Sequence, residues 1–199
     1  LEDLVAHAYG RRRDLTGETR QDYLRRIAWW REAKFGFFMH WGMSCFTGKE
    51  LSWSRGNAPD QTPIEIYDNL YKQFNPTRYD PVAWAEQVKA GGFRYAVLTT
   101  KHHDGFCLWP TKTSEYNIAF TPYKQDVVAM YLQAFREAGL HPGFYFSWPD
   151  WWYETKITRE KSHEEWVRVR NDYHRSHLAE LSANYGPIDL FWFDGGGEF

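Results

Sequence analysis

Apolar residues along this chain gather in two kinds of run. Four are short and dense: Lys34-Phe35-Gly36-Phe37-Phe38-Met39-His40, Arg94-Tyr95-Ala96-Val97-Leu98-Thr99-Thr100, Pro142-Gly143-Phe144-Tyr145-Phe146-Ser147 and Ile188-Asp189-Leu190-Phe191-Trp192-Phe193. Runs of this length, closed by glycine or polar residues, predict strands, and the last reads as a strand buried on both faces. Between them the apolar positions recur at helical spacing. Helices are predicted from about Glu18 to Lys34, Asp80 to Ala90, Lys124 to Ala138 and Ser162 to Asn184. Thr62-Pro63 opens a further short helix, with Thr62 as its cap and Pro63 at its first position.

The order is helix, then strand and helix in alternation, which belongs to a parallel α/β sheet. Each predicted strand runs into polar or aromatic residues: His40-Trp41-Gly42, Lys101-His102-His103-Asp104-Gly105, Trp148-Pro149-Asp150-Trp151-Trp152, and Asp194 before three glycines. A doubly wound open sheet usually announces itself by a G-x-G-x-x-G loop after its first strand. Here that position holds H-W-G. The expected fold is therefore half of a (β/α)8, TIM-like barrel of about four parallel strands, with its site at the C-terminal face. It forms a single domain over residues 1–199, with 1–27 as an N-terminal extension and helix. The connection from Met43 to about Thr62 is long, carries Trp53 near its middle, and is of a length that more often serves a function than not.

Charge and composition narrow the choices. A net charge of −2 gives no electrostatic case for nucleic acid or an anionic membrane surface. No apolar run approaches the ~20 residues that span a bilayer, and Leu1-Glu2-Asp3 begins no basic-then-apolar leader. Cys45 and Cys107 are too few for a disulfide framework and do not fix a compartment. The 11 Trp, 13 Tyr and 14 Phe exceed what a core of this size needs. A large aromatic core uses most of them. Aromatic faces also suit sugars, whose C–H faces stack on rings while their hydroxyls find polar tips.

Asp194 stands where a strand stops, the address of catalytic acids in (β/α) enzymes; an aspartate capping the following loop fits the same pattern. His102 and His103 are adjacent, so an extended backbone points them apart, and only a turn at the strand end faces both toward one ligand. They serve equally well as loop-bonding histidines. A metal would need three or four converging ligands, which His40, His102, His103 and Asp104 can supply in principle. No His-x-His or His-x3-His pair with a downstream acid appears, and the metal reading is the weaker one. No G-x-S-x-G elbow supports serine chemistry. Neutral-sugar recognition with a carboxylate at the reacting centre fits what remains.

The residues from Ala28-Trp29-Trp30-Arg31-Glu32-Ala33-Lys34 through Phe35-Gly36-Phe37-Phe38-Met39-His40-Trp41-Gly42 resemble the opening of the glycoside hydrolase family 29 α-L-fucosidases. Phe74-Asn75-Pro76, Leu98-Thr99-Thr100-Lys101-His102-His103-Asp104-Gly105-Phe106, Gly143-Phe144-Tyr145-Phe146-Ser147 and Trp192-Phe193-Asp194-Gly195 continue the resemblance in order, from about Ala28 to the end. The resemblance implies a retaining glycosidase that releases terminal α-L-fucose without a cofactor or metal. It implies Asp194 as the nucleophile, and His40, His102 and His103 as ligands of the sugar hydroxyls. Trp53 corresponds to a tryptophan lining the sugar site, and Tyr145 is matched less closely. Many members carry an acid before that tryptophan; here it is Ser52. The implied partner is a fucosylated oligosaccharide or glycoside.

One departure is larger. Family members have a complete barrel, and their acid/base residue lies beyond the nucleophile in sequence. This chain reads as a truncated catalytic domain, with Asp104, Asp150, Glu154 and Glu198 as the acids near the rim. Two bare sheet edges would be exposed. A homodimer that pairs the first strand of one copy with the fourth of the other would close the barrel, and acids near Asp150 of the partner would then supply the acid/base. Otherwise a separate polypeptide or a removed C-terminal part supplies the other half; the alternative function is that of a fucose-binding or inert fragment without that residue.

Overall fold

The computed structural model describes residues 17–49, 51–157 and 161–195. The expected N-terminal extension before residue 17, the last two glycines of the cluster after Asp194, and Glu198 lie outside the described residues. The chain divides into two compact units, Leu1–Phe35 and Gly36–Phe199. In the first, the single helix expected from Glu18 to Lys34 is two: α1 (Arg20–Arg26) and α2 (Ala28–Ala33). Ile27 separates them, with backbone angles of −93° and 1° that leave the helical region. The Thr19 side chain caps α1 by accepting from the Asp22 N–H.

The second unit holds one sheet of four parallel strands in sequence order: β1 (Gly36–Met39), β2 (Tyr95–Lys101), β3 (His141–Ser147) and β4 (Leu190–Asp194). The intervening helices are α3 (Ile64–Tyr67), α4 (Pro81–Ala90), α5 (Val127–Glu137), α6 (Trp151–Ile157) and α7 (His163–Ala183). This is the α/β half-barrel architecture expected. The caps follow from sequence. Asp80, Asp126 and Ser162 each accept a backbone N–H at the start of α4, α5 and α7, and Ser162 and Glu165 form a reciprocal capping box. At α3 the expected Thr62 cap is displaced. Pro63 occupies the cap position and supplies no side-chain bond.

The two faces of the sheet differ. Phe144, Phe146, Ala96 and Leu98 join Val127, Val128, Tyr131, Leu132 and Phe135 of α5 in one buried core. Those helix positions recur at i, i+1, i+4, i+5 and i+8, one stripe of an α-helix. Tyr131 adds a polar anchor, its hydroxyl reaching the carbonyls of Ala96 (2.8 Å) and Gly143 (3.2 Å). On the other face Phe38 of β1 meets Tyr145 of β3 and Trp192 of β4, with centroids 5.8 and 5.4 Å apart. Two strands lie between β1 and β4, and neighbouring strands in a flat sheet are about 4.8 Å apart. Rings on the outer strands therefore touch only because the sheet is curled, as a barrel segment must be.

Burial corrects one expectation. β4 is not covered on both faces: Trp192 is 50% and Phe193 57% exposed. β4 and β1 are the outer strands of the sheet. Among the described residues no strand pairs with their free edges.

Beneath the rim, β2, α6 and α7 enclose a polar cluster. Lys101 Nζ lies 3.0 Å from Asp150 Oδ2, with both side chains fully buried, and 3.3 Å from His174 Nδ1. It also sits 4.5 Å above the Phe146 ring. Asp150 uses its other oxygen to accept the Tyr153 N–H (2.9 Å), fixing the start of α6. Asp150→Asn keeps that cap but strands the Lys101 charge. It is expected to lower the unfolding free energy by about 3–5 kcal/mol, and adding Lys101→Met should recover most of the loss. Urea unfolding at neutral pH measures both, and an Asp150→Asn variant as stable as the parent would show that the pair does not hold the fold.

Candidate active site

Parallel pairing levels the strand ends. Met39 pairs Leu98, Thr99 pairs Tyr145, and Ser147 pairs Asp194. His40, one residue past β1, therefore stands level with Thr99 and Tyr145. Thr99 Oγ1 fixes this crossing, accepting the Trp41 N–H at 3.0 Å and donating to the Trp41 carbonyl at 3.2 Å. After Lys101 the chain turns over His102 to Gly105, closed by the Gly105 N–H on the His102 carbonyl (3.0 Å). Gly105 has φ +87°, and a Cβ there would run into Asp150. This turn brings the two adjacent histidines to one side, with ring centroids 4.4 Å apart.

The long connection after β1 is ordered rather than open. Short 3-10 turns occupy Met43–Phe46 and Ser52–Ser54. Thr62 donates its N–H to the Ser54 carbonyl at 2.6 Å. Arg55 makes a two-pronged ion pair with Asp68 at 2.6 and 2.9 Å. That pinning sets Ser52 against His102 Nδ1 (2.5 Å) and the Trp53 ring 4.9 Å from His103.

All six residues singled out in the sequence converge. Asp194 Oδ2 accepts from the Tyr145 hydroxyl at 2.6 Å, and Oδ1 from the Gly195 N–H at 2.7 Å. His103 Nε2 stands 3.8 Å from Asp194 Oδ2. His102 stacks on Tyr145 with planes 8° apart, and His40 lies 5.5 Å from both rings. Trp151 adds a further wall 5.3 Å from His103. The result is one carboxylate, three imidazoles and aromatic surfaces around a site open toward solvent.

The charge states follow from surroundings. The Tyr145 hydrogen bond, helped by the Gly195 N–H and the nearby imidazoles, holds the Asp194 carboxyl below its usual range. Burial lowers His40 and His103, and pushes His102 down to about 3 with help from His103 and His40. At His103 burial outweighs the attraction of Asp194, so their 3.8 Å approach joins a carboxylate to a neutral ring, not two opposite charges.

Two of the acids read as rim candidates are elsewhere. Asp104 is buried, accepting from the Tyr67 hydroxyl (2.7 Å) and the Phe106 N–H (3.2 Å). Asp150 is committed to Lys101. Both serve the turn beneath the site, because the segment after Lys101 folds down into the protein. Glu154, within α6, is half-buried with its carboxyl raised by burial. Ser147 and Trp151 were missed. Ser147 had a signal: it lies two residues past Tyr145 on a strand and so shares its face. Ser147 Oγ meets His103 Nδ1 at 2.5 Å and donates to the Pro149 carbonyl at 2.7 Å.

A parallel (β/α) sheet carrying a carboxylate among imidazoles and indoles at its C-terminal rim defines a barrel-type domain with a candidate site at that rim. The chain belongs to the alpha-L-fucosidase family, whose model matches residues 11–199, reaching further toward the N-terminus than the motifs that begin at Ala28. It is 32% identical over 169 residues to alpha-L-fucosidase 1 of Arabidopsis thaliana, covering 83% of this chain and 29% of that one. It is 32% identical over 184 residues to the alpha-L-fucosidase of Branchiostoma floridae, covering 84% and 41%. Among solved structures, alpha-L-fucosidase isoenzyme 1 from Paenibacillus thiaminolyticus superposes with a TM-score of 0.76 at 35% identity, over 87% of this chain and 44% of that chain. A Bacteroides thetaiotaomicron GH29 enzyme, solved as a trapped covalent intermediate with 2-fluoro-fucosyl fluoride, matches at 0.75 and 32%, over 86% and 41%. The chain thus spans less than half the length of these relatives.

The buried histidines make stability depend on pH. His102, His174 and His177 are neutral when folded, whereas the unfolded chain protonates them below about pH 6.5. Between that value and about 3 the unfolded state binds more protons at His102, so stability falls as pH falls through this window. Asp104, raised to about 6 by burial, opposes this by taking up its proton first in the folded state. With His40 and His103, five histidines lowered by burial stand against three carboxyls raised by it, Asp104, Asp126 and Glu154, which predicts a net loss from pH 7 to pH 4. Urea midpoints measured across that range should fall, and His174→Gln should flatten the slope; an unchanged slope would exclude His174 from the linkage.

Proposed function

We propose that this chain carries the fucose-binding and nucleophilic half of a retaining α-L-fucosidase. The observation behind the reading is the Asp194 carboxylate at the end of β4, kept ionised by Tyr145 and Gly195 and faced by neutral imidazoles. In the proposed first step Asp194 attacks the anomeric carbon, the aglycone oxygen departs with a proton, and a fucosyl ester forms. In the second, water releases fucose and regenerates the carboxylate. A carboxyl group about 5 Å away would supply and later remove the proton. His40, His102 and His103 would hold the ring hydroxyls, with Trp53 and Tyr145 against its apolar parts. A lowered carboxyl pKa suits a nucleophile, and neutral imidazoles leave the developing positive charge on the sugar unopposed.

A second reading is favoured by one observation. Asp104 and Asp150 are both engaged in buried bonds, and Glu154 accepts the Asp150 N–H at 3.4 Å from within α6. Without a donor the same pocket binds fucose and turns over only substrates whose leaving group needs no protonation. We infer that further strands pair with β1 and β4 and bring the donor. An apolar groove of about 760 Å³ beside β1, lined by Phe37, Phe38, Trp84, Val88 and Phe93, would receive elements of that second half. For this chain by itself the partner is a second copy, arranged so that each β1 pairs with the other's β4.

Asp194→Asn is expected to abolish most hydrolysis of an aryl fucoside while leaving the fold unchanged, since an amide forms no ester. Parental turnover in that variant would remove Asp194 from the role. His40→Ala and His102→Ala should each weaken L-fucose binding by about 1–3 kcal/mol in calorimetry, and unchanged affinity in both would exclude a sugar pocket here. Light scattering should return twice the chain mass; an active monomer would overturn the closed-barrel assembly.

A further inference from the structure

We propose that His102, His103 and Asp194 form a binding site for one divalent transition-metal ion, with Zn2+ as the matching species. Each residue offers one ligand atom, and the three lie within 4.8 Å of one another. In the sequence a metal is the weaker reading because no His-x-His or His-x3-His pair with a downstream acid appears, and adjacent histidines on an extended chain also diverge. The turn closed at Gly105 removes the divergence.

The hydrogen bonds settle which nitrogen of His103 is bare. Ser147 has one hydroxyl proton, and the Pro149 carbonyl, which can only accept, takes it at 2.7 Å. On its other side Ser147 must therefore accept, so His103 Nδ1 carries the ring proton. Nε2 is left as a lone pair 3.8 Å from Asp194 Oδ2. Two acceptors then face each other with no proton between them, and a cation satisfies both at once. His102 is anchored through its Nδ1, which lies 2.5 Å from Ser52 Oγ, so Nε2 is the nitrogen it can offer to a ligand. Rings oriented through the far nitrogen are the usual support of metal-binding histidines.

The geometry needs a modest closure. Bonds of about 2.0–2.2 Å to a tetrahedral zinc place its ligands roughly 3.3 Å apart. The Asp194 side chain, 46% exposed at the end of an outer strand, has room to move in. Three protein ligands and a solvent-facing fourth position match an open zinc site. The ion would occupy the carboxylate that the proposed function uses as its nucleophile, so it inhibits rather than assists. The site stands on the ligand geometry; only its competition with sugar rests on the fucosidase reading.

The test is calorimetric titration of chelator-treated protein with zinc chloride at pH 7. One ion per chain is expected, with His103→Gln and Asp194→Asn each weakening binding about tenfold or more. Cobalt in place of zinc should give the intense visible absorption of a four- or five-coordinate ion, lost in His103→Gln. Asp194→Asn at the open rim keeps the test valid if the buried His103 variant fails to fold. No binding, affinity unchanged in both variants, or only the spectrum of hydrated cobalt would overturn the site. L-fucose should displace the zinc; a zinc site that obeys the variants but ignores fucose would count against the sugar reading alone.

Discussion

Parallel strands all end on the same side, and the rest of this structure depends on that constraint. Antiparallel pairing would have sent alternate strand ends to opposite edges of the sheet. Here the pairs Thr99–Tyr145 and Ser147–Asp194 bring residues from distant parts of the chain to one level. Each connection that returns the chain to start a parallel strand must then cover the sheet, which is why helices fill one face and loops crowd one rim. The rim chemistry is a by-product of that routing. Asp194, Tyr145 and His103 lie on three separate segments, yet no long side-chain reach is needed to join them.

The face toward α7 explains why the rim is rigid. Its buried positions on that helix, Arg170, Tyr173, His174, His177 and Leu181, recur at helical spacing but are mostly polar. His174 and Tyr173 lie against Lys101, His174 and His177 also pack on the Phe146 ring, and Leu181 joins the apolar core. The Lys101–Asp150 pair ties the end of β2 to the start of α6, and Trp151 donates its N–H to the His103 carbonyl at 2.8 Å. The histidine turn is thus held from below by charge and from the side by backbone. A low-dielectric interior makes such a network stiff when satisfied and costly when broken, which suits a base for groups that must be in place before a ligand arrives.

How much of this could be read in the sequence varied with the kind of signal. The four strands were legible because dense aromatic and branched runs have few alternatives. The helix starts at Asp80 and Ser162 were legible as boundaries, whereas the start expected near Lys124 missed the Asp126 cap and the Thr62 cap was displaced by Pro63. Six site residues were legible from strand-end position and motif. The exposure of Trp192 and Phe193 was not, since an apolar run does not say whether its strand is central or outermost. α6 was hidden in an aromatic cluster too short for periodicity, although Asp150 three residues before Tyr153 was a usable cap signal. The buried polar stripe of α7 carried no signal in the sequence, because Arg170, His174 and His177 normally point to water. Asp104 and Asp150 were misplaced for the same reason: an acid near a strand end looks available until the turn that buries it is known.

Ser147 shows how one unobtrusive hydroxyl governs the character of the site. By donating to Pro149 it can only accept from His103, and the ring proton goes to the far nitrogen. The pocket then presents a lone pair and a carboxylate to whatever enters, with Tyr145 already spent on Asp194. A pair of acceptors of this kind has two matches. Sugar hydroxyls can donate to it, and a centre that gains positive charge is stabilised by it. A free metal ion satisfies the same demand more strongly and without selectivity. On the proposed reading, then, discrimination between sugar and metal cannot come from Asp194 and the histidines. It must come from the aromatic surfaces of Trp53, Tyr145 and Trp151, which favour a ligand with an apolar face and give nothing to a bare ion.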